Sequence, residues 1–83
     1  MTEGDKLLED AGFELIEEIC TPIPDVNESA KQYHYKRVQS NIYLIFDTQQ
    51  NGISMYDEGN PVPWYSLSDF EAITTKAKEL GMI

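Results

Sequence analysis

Hydrophobic residues near the carboxyl end of the chain recur at the spacing of an α-helix. Phe70, Ile73, Ala77 and Leu80 follow one another at steps of three and four residues before Gly81. This spacing places the four side chains in one apolar stripe, and glycine is common just beyond a helix end. The pattern predicts an amphipathic carboxyl-terminal helix whose stripe packs against another element.

The polar residues of this segment predict where the helix begins and which side of it faces water. Ser68 and Glu71 have the spacing of a capping box, in which a serine and a glutamate satisfy the first backbone N–H groups. Lys76, Lys78 and Glu79 lie away from the apolar stripe. We therefore expect the helix to begin near Ser68 and to expose both lysines.

The amino-terminal part predicts a short helix followed by an irregular strand. Residues 6–11 combine leucines and acids before Gly12, which stands where a helix would end. From Phe13 to Cys20, apolar and β-branched residues follow in an order that is neither strictly alternating nor helical. A strand with a β-bulge explains this order, because one extra residue reverses the alternation.

Three further runs predict strands. Residues 33–38, 42–47 and 53–57 are rich in aromatic and β-branched residues, which strands favour. The Asn51-Gly52 pair tolerates the positive φ angles of a tight turn, so the second and third runs are expected to form a hairpin. A loop of two residues and one of four both remain open at this turn. Either length keeps the same side chains on one face, because side chains alternate with a period of two. A three-residue loop with a bulge would break this parity.

The hairpins predict the two faces of the sheet. The residues expected on the face that the helices cover are Tyr33, Tyr35, Ile42, Leu44, Phe46, Ile53 and Met55. The opposite face is expected to carry His34, Lys36 and Val38 on the neighbouring strand.

Prolines mark two loops between these elements. Residues 21–28 and 58–63 each hold two prolines within three positions, and proline cannot donate to a sheet ladder. The elements together predict a single α+β domain over residues 1–83, because a second core could not be built at this length. The expected architecture is a three- to four-stranded antiparallel meander sheet with a short N-terminal helix and an amphipathic C-terminal helix packed on one face.

The charge of the chain limits its partners. It carries 15 Asp and Glu against 6 Lys and Arg, a formal net charge of -9. Direct nucleic-acid binding and attachment to an anionic membrane both require clustered basic residues, so neither is expected. No apolar run approaches the roughly 20 residues of a transmembrane helix, and the amino terminus shows no secretory signal pattern. A cytoplasmic location is therefore predicted.

Residue types that usually carry catalysis or bind metals are sparse. Cys20 and His34 are the only cysteine and histidine, so a zinc site built from several cysteines is excluded. No nucleophile has a predicted base beside it. Glu17 and Glu18 are adjacent and would point to opposite faces of a strand, which separates this pair of carboxylates. We expect no catalytic residues, no metal and no cofactor, and interpret the protein as not being an enzyme.

The main candidate for a functional surface is aromatic. In the hairpin pairing above, Tyr43, Ile45 and Tyr56 fall on the face opposite Phe46. If the helices cover one face only, these residues and Trp64 form an apolar patch that suits a protein partner or a second copy of the chain. The alternative is that the loop carrying Trp64 folds over this face and closes it.

Three classes of function remain open. The first is an accessory protein that acts by protein–protein interaction, with self-association as a homodimer included. The second is an acidic nucleic-acid mimic that inhibits a DNA- or RNA-binding protein, because residues 1–28 carry nine acids against one lysine. The third is a small ligand-binding module, for which the sequence shows no motif.

Two segments resemble a known group of proteins. The run Asn41-Ile-Tyr-Leu-Ile-Phe-Asp47 and the ending Asp69-Phe-Glu-Ala-Ile-Thr-Thr-Lys-Ala-Lys-Glu-Leu-Gly-Met-Ile83 are similar to short uncharacterised proteins from prophages and mobile elements of Gram-positive bacteria. Those proteins open with a brief helix and a strand similar to residues 11–16. No activity is known for the group, so the resemblance implies a bacterial or phage cytoplasmic setting and no functional residues.

Overall fold

The computed structural model describes residues 2–22, 29–62 and 65–83, which form two helices and five strands. In chain order the elements are α1 (Glu3–Asp10), β1 (Phe13–Pro22), β2 (Ser29–Arg37), β3 (Ile42–Asp47), β4 (Gly52–Asp57), β5 (Asn60–Pro61) and α2 (Leu67–Glu79). The strands form one sheet in the order β1-β2-β3-β4-β5, and every neighbouring pair is antiparallel. The α+β class and the meander order are therefore confirmed.

The expected count of three to four strands is wrong, because the described chain forms five. The additional strand is β5, in which Asn60 pairs with Asp57 and Pro61 pairs with Tyr56. This pairing lies inside a segment that was expected to be a loop. Proline is accepted there because β5 is an edge of the sheet, where one side of the strand has no ladder to complete.

The irregular pattern of β1 corresponds to a bulge, as predicted. Leu15 pairs with Tyr35, whereas Glu17 pairs with His34, so the register shifts between Leu15 and Glu17. β1 also extends to Pro22 at the other edge of the sheet, where proline is again tolerated. Thr21 and Pro22, expected in the first loop, therefore belong to β1, and residues 23–28 of that predicted loop lie outside the described residues.

The predicted faces of the β3–β4 hairpin are confirmed, although its turn is longer than two residues. Phe46 pairs with Ile53 and Asp47 with Gly52, which leaves residues 48–51 as the loop. This register is displaced by four residues from the pairing expected for a two-residue loop and by two residues from that expected for a four-residue loop. An even displacement returns each side chain to the same face, so the apolar residues of both strands stay together.

The core lies between the two helices and one face of the sheet. Leu44 and Phe46 are 0% exposed, and Leu8 on α1 is 1% exposed. Tyr35 meets Phe46 edge to face, with ring centroids 5.7 Å apart. The other buried members of this cluster are Phe13, Ala72, Ile73, Ala77 and Met82. Packing of both helices on one face of the sheet is therefore confirmed.

Helix α2 begins two residues earlier than predicted. Its N-cap is Ser66, whose hydroxyl accepts a hydrogen bond from the Asp69 N–H at 3.2 Å, so the expected cap at Ser68 is wrong. Either serine satisfies the chemistry of a cap. Asp69 in the first turn also accepts a hydrogen bond at 2.9 Å from the Arg37 guanidinium on β2.

Two assignments on the surface of α2 are also wrong. Phe70, expected in the buried stripe, is 49% exposed and stacks on Tyr65 with ring centroids 6.2 Å apart. Lys76, expected in water, is only 8% exposed. Helix α1 packs beside it, and Asp5 accepts a hydrogen bond from the Lys76 ammonium at 2.7 Å. Helical spacing alone does not show that a second helix covers this flank.

Candidate interaction face

The side of the sheet away from the helices carries Tyr43, Ile45 and Tyr56, and we call these three residues the open face. The strand register brings them together: Tyr43 pairs directly with Tyr56, and Ile45 pairs with His34 on β2. Ile45 directly precedes the buried Phe46, and side chains alternate along a strand. The open face therefore points away from both helices, as the sequence predicts.

Water reaches the open face in part. Tyr43 is 37% exposed, and Ile45 and Tyr56 are half-buried. The Lys36 ammonium lies 5.9 Å from the centroid of the Tyr43 ring, within the range of a cation–π contact. Trp64, the fourth residue expected here, lies outside the described residues.

The described part of the segment before Trp64 runs along the sheet edge. Pro61 pairs with Tyr56, and the Val62 N–H donates a hydrogen bond to the Met55 carbonyl at 3.0 Å. As far as Val62, this segment extends the sheet sideways as a fifth strand instead of crossing the open face.

Polar side chains border the open face on its β2 side. The Gln32 amide N–H donates to an Asp47 carboxylate oxygen at 3.1 Å, and the Gln32 amide oxygen lies 3.1 Å from Nε2 of His34. His34 is therefore oriented by an amide, and this network gives the border hydrogen-bonding groups of both kinds.

The candidate chemical groups considered from the sequence lie apart. Cys20 is exposed and pairs with Lys31, whereas His34 pairs with Glu17 further along the same ladder. Within the described ranges, no three His, Cys, Asp or Glu side chains come close enough together to hold a metal ion.

Acidic residues of the amino-terminal third lie on both sides of an edge strand. Glu14, Glu17 and Glu18 are exposed on β1, which forms one edge of the sheet. The register turns Glu14 and Glu17 towards the side of the open face, and Glu18 towards the helix side. Charge along an edge strand opposes pairing with a strand of another chain, which is a structural reason for these carboxylates.

A polar network joins α1 to α2, and the sequence analysis missed it. The Glu79 carboxylate accepts hydrogen bonds from the Gly4 N–H, at 2.8 Å, and from the Thr2 hydroxyl. Lys76 lies one helical turn before Glu79 on α2, and its ammonium donates a hydrogen bond to the Asp5 carboxylate on α1. Acids in α1 and the Lys76–Glu79 spacing in α2 are the only sequence signals of this network. Glu79 thus satisfies an N–H at the start of α1, where no helical partner exists.

These contacts shift four pKa values. The hydrogen bond from Lys76 lowers the pKa of Asp5 below its ordinary 3.8, and the Thr2 and Gly4 donors lower the pKa of Glu79 below 4.5. Burial opposes the charge on Lys76, but the Asp5 hydrogen bond and nearby negative groups raise its pKa above 10.5 overall. Burial raises the pKa of Tyr35 above 10.0.

The network predicts how stability depends on pH. A carboxyl with a lowered folded pKa stabilises the fold above its unfolded pKa, and this contribution is lost as the pH falls through the folded value. The contributions of Asp5 and Glu79 should therefore fade below pH 3.8 and pH 4.5, respectively. Lys76 and Tyr35 have raised folded pKa values, so their contributions to stability are lost as the pH rises above 10.5 and 10.0, respectively.

We expect Asp5→Asn to lower the free energy of unfolding by up to about 1 kcal/mol near neutral pH, since the ion pair is partly screened by water. Thermal melts across pH should show this difference from the parent protein shrinking as Asp5 becomes protonated. Asp10→Asn, on the exposed end of the same helix, is the matched control and should change little. A difference that stays constant into strong acid would contradict the assigned role of Asp5.

Comparison of the chain with profiles of known protein families, with curated protein sequences and with solved structures gives no match. Neither helix in the described part of the chain is long and apolar enough to cross a membrane. The geometry of the open face is thus the main guide to function.

Proposed function

We propose that this protein is a non-catalytic accessory protein that acts through protein–protein contacts at the open face, with a second copy of itself as the first partner to test. The one-sided packing of the helices carries this proposal. Both helices contribute to the cluster around Phe46, and Tyr43, Ile45 and Tyr56 lie on the other side of the sheet. Apolar residues grouped on the surface of a small domain are typical of an interaction site.

The residue types of the open face support this function. Tyrosine is enriched at protein interfaces because its large ring buries apolar area while its hydroxyl keeps a hydrogen bond. Tyr43 and Tyr56 are direct cross-strand neighbours, so their rings form a joint surface, and Ile45 adds an aliphatic side chain next to them. The Gln32–Asp47 hydrogen bond lies at the border, where interfaces are usually polar.

The border carries both signs of charge, which favours a second copy as partner. Lys36 lies beside Tyr43, and Glu14 is the cross-strand neighbour of Lys36. In a two-fold dimer the same patch meets itself, so Lys36 of one copy can face an acid of the other. Repulsion between two chains of net charge -9 opposes this contact, but salt screens it beyond about 8 Å at physiological ionic strength.

Sedimentation velocity of the parent protein and of Tyr43→Lys tests the proposal. We expect the parent to self-associate and Tyr43→Lys to raise the dissociation constant at least about tenfold. This corresponds to a loss of about 1.4 kcal/mol of binding free energy, as expected at a central interface residue. Leu67→Lys is the matched control, because Leu67 is 86% exposed on α2 and the change adds the same charge. This control should associate as the parent does.

Two results would count against the open face. A parent protein that stays monomeric at about millimolar concentration would remove self-association. Affinity capture with the parent and with Tyr43→Lys as baits then tests whether the open face binds a different protein. Equal capture by both baits would remove the open face as the interaction site.

A further inference from the structure

A groove of about 590 Å³ lies on the helix side of the sheet, between α1 and the β1–β2 hairpin. Phe13, which is 3% exposed, forms its buried floor, and Leu15 and Val38, which are 47% and 64% exposed, form apolar walls. The Val38 N–H donates to the Gly12 carbonyl at 2.9 Å, which ties the two strands together at this end. Tyr43, Ile45 and Tyr56 of the open face lie on the other side of the sheet, whereas Glu14 at the β1 edge also lines the groove. Val38, expected on that other side, lies past the end of β2 at Arg37, where strand alternation no longer sets its direction.

The groove stays open because the elements beside it are short or irregular. Helix α1 ends at Asp10 after eight residues, and the β1 bulge follows directly after Leu15. The apolar walls are therefore left partly in water, although the floor belongs to the core. A concave surface of this size with mostly apolar walls is typical of a binding site.

The charge of the walls indicates what the groove accepts. Three carboxylates line the groove, those of Asp5, Glu9 and Glu14. Asp5 lines the groove but is paired with Lys76. Glu9 also lines the groove and is exposed. The walls therefore favour a cation next to the apolar contact and disfavour an anion.

We propose that this groove binds a basic and apolar segment of a partner protein. An aliphatic or aromatic side chain of the partner packs between Leu15 and Val38, and a lysine or arginine next to it pairs with Glu9. A second copy of this chain fits less well, because its net charge is -9. The proposal concerns a different surface from the open face, so either one can fail while the other stands.

The test uses the full chain and two acetylated peptide amides, Lys-Leu-Phe-Lys and Glu-Leu-Phe-Glu, which share an apolar pair and differ in charge. Titration followed by NMR of the isotope-labelled protein should show the lysine peptide shifting the amides of Gly12, Leu15 and Val38. We expect the dissociation constant of the lysine peptide to be at least about fivefold lower than that of the glutamate peptide.

Two variants separate the apolar and the ionic contributions. Leu15→Ser should weaken binding of the lysine peptide at least about tenfold, because it removes most of one apolar wall. Glu9→Gln should weaken it about two- to fivefold, as expected for an exposed ion pair. Glu71→Gln, an exposed residue of α2 outside the groove, removes the same charge and should leave binding unchanged. If Leu15→Ser does not fold, Val38→Ser takes its place.

Four results of the peptide titrations would overturn the proposal, and a fifth comes from the oligomeric state of a variant. These are absence of shifts at about millimolar lysine peptide, equal binding of both peptides, shifts confined to the open face, and equal weakening by Glu71→Gln and Glu9→Gln. The last result would mean that only net charge is sensed. Loss of a dimer in Leu15→Ser would identify a second copy as the occupant, and this too contradicts the proposal.

Discussion

Replacing Phe46 by alanine is expected to lower the free energy of unfolding by about 3–5 kcal/mol. Phe46 is fully buried, and its removal leaves a cavity between the sheet and α2 that the surrounding side chains fill only in part. Tyr35 also loses its edge-to-face partner, a contact of about 0.5–1.5 kcal/mol. A domain of 83 residues has a total stability of about 4–12 kcal/mol, so this variant should lose a large part of it.

Denaturant unfolding measures this effect, with Ile53→Ala as the control. Ile53 pairs directly with Phe46 on the same face but is 42% exposed, so its truncation should cost about 1 kcal/mol. If Phe46→Ala cannot be purified folded, Phe46→Leu should still fold with a loss of about 1–2 kcal/mol. Equal losses for Phe46→Ala and Ile53→Ala would contradict the full burial of Phe46 beneath the helices.

Gly4→Ala is expected to lower the free energy of unfolding by about 1–3 kcal/mol, the range for overpacking a close contact. A Cβ at position 4 would lie 2.9 Å from the Lys76 Cα and 2.6 Å from a Glu79 carboxylate oxygen. The carboxylate can move, but the Lys76 backbone belongs to α2 and cannot move alone. The added methyl would also disturb the hydrogen bond from the Gly4 N–H to Glu79.

The sign of this change distinguishes packing from helix propensity. Alanine within a helix is about 1 kcal/mol more favourable than glycine, so Gly4→Ala would stabilise the protein if α1 and α2 were further apart. Gly52→Ala is the control, because no atom lies within 4 Å of the Cβ that it would add. The melting temperature of Gly4→Ala should lie below that of the parent protein, and the melting temperature of Gly52→Ala should lie near it. A higher melting temperature for Gly4→Ala would contradict the close approach of the helices.

The faces of the sheet were predictable because they depend only on parity. The turn of the β3–β4 hairpin is longer than the two residues considered first, yet Leu44 and Met55 still share the covered face. Tyr43 and Tyr56 likewise share the other face. The positive φ of 54° at Asn51 shows that the turn signal was placed correctly, although Gly52 already belongs to β4.

The surfaces beside α1 were not predictable from the chain. Leu15 and Val38 lie 23 positions apart and carry no shared motif, so nothing in their local pattern indicates a common groove. Lys76 has the spacing of a solvated residue on α2, and only the position of α1 next to it explains its burial and its bond to Asp5.

Local pattern alone therefore establishes the element types, the meander order and the inside and outside of the β3–β4 hairpin. These properties follow from periodicity and turn chemistry, which act over a few residues. Packing in three dimensions decided the edge strand β5, the buried Lys76 and the groove of Phe13, Leu15 and Val38. Those features depend on how distant segments approach one another, and the energies of such contacts exceed the small differences between local alternatives.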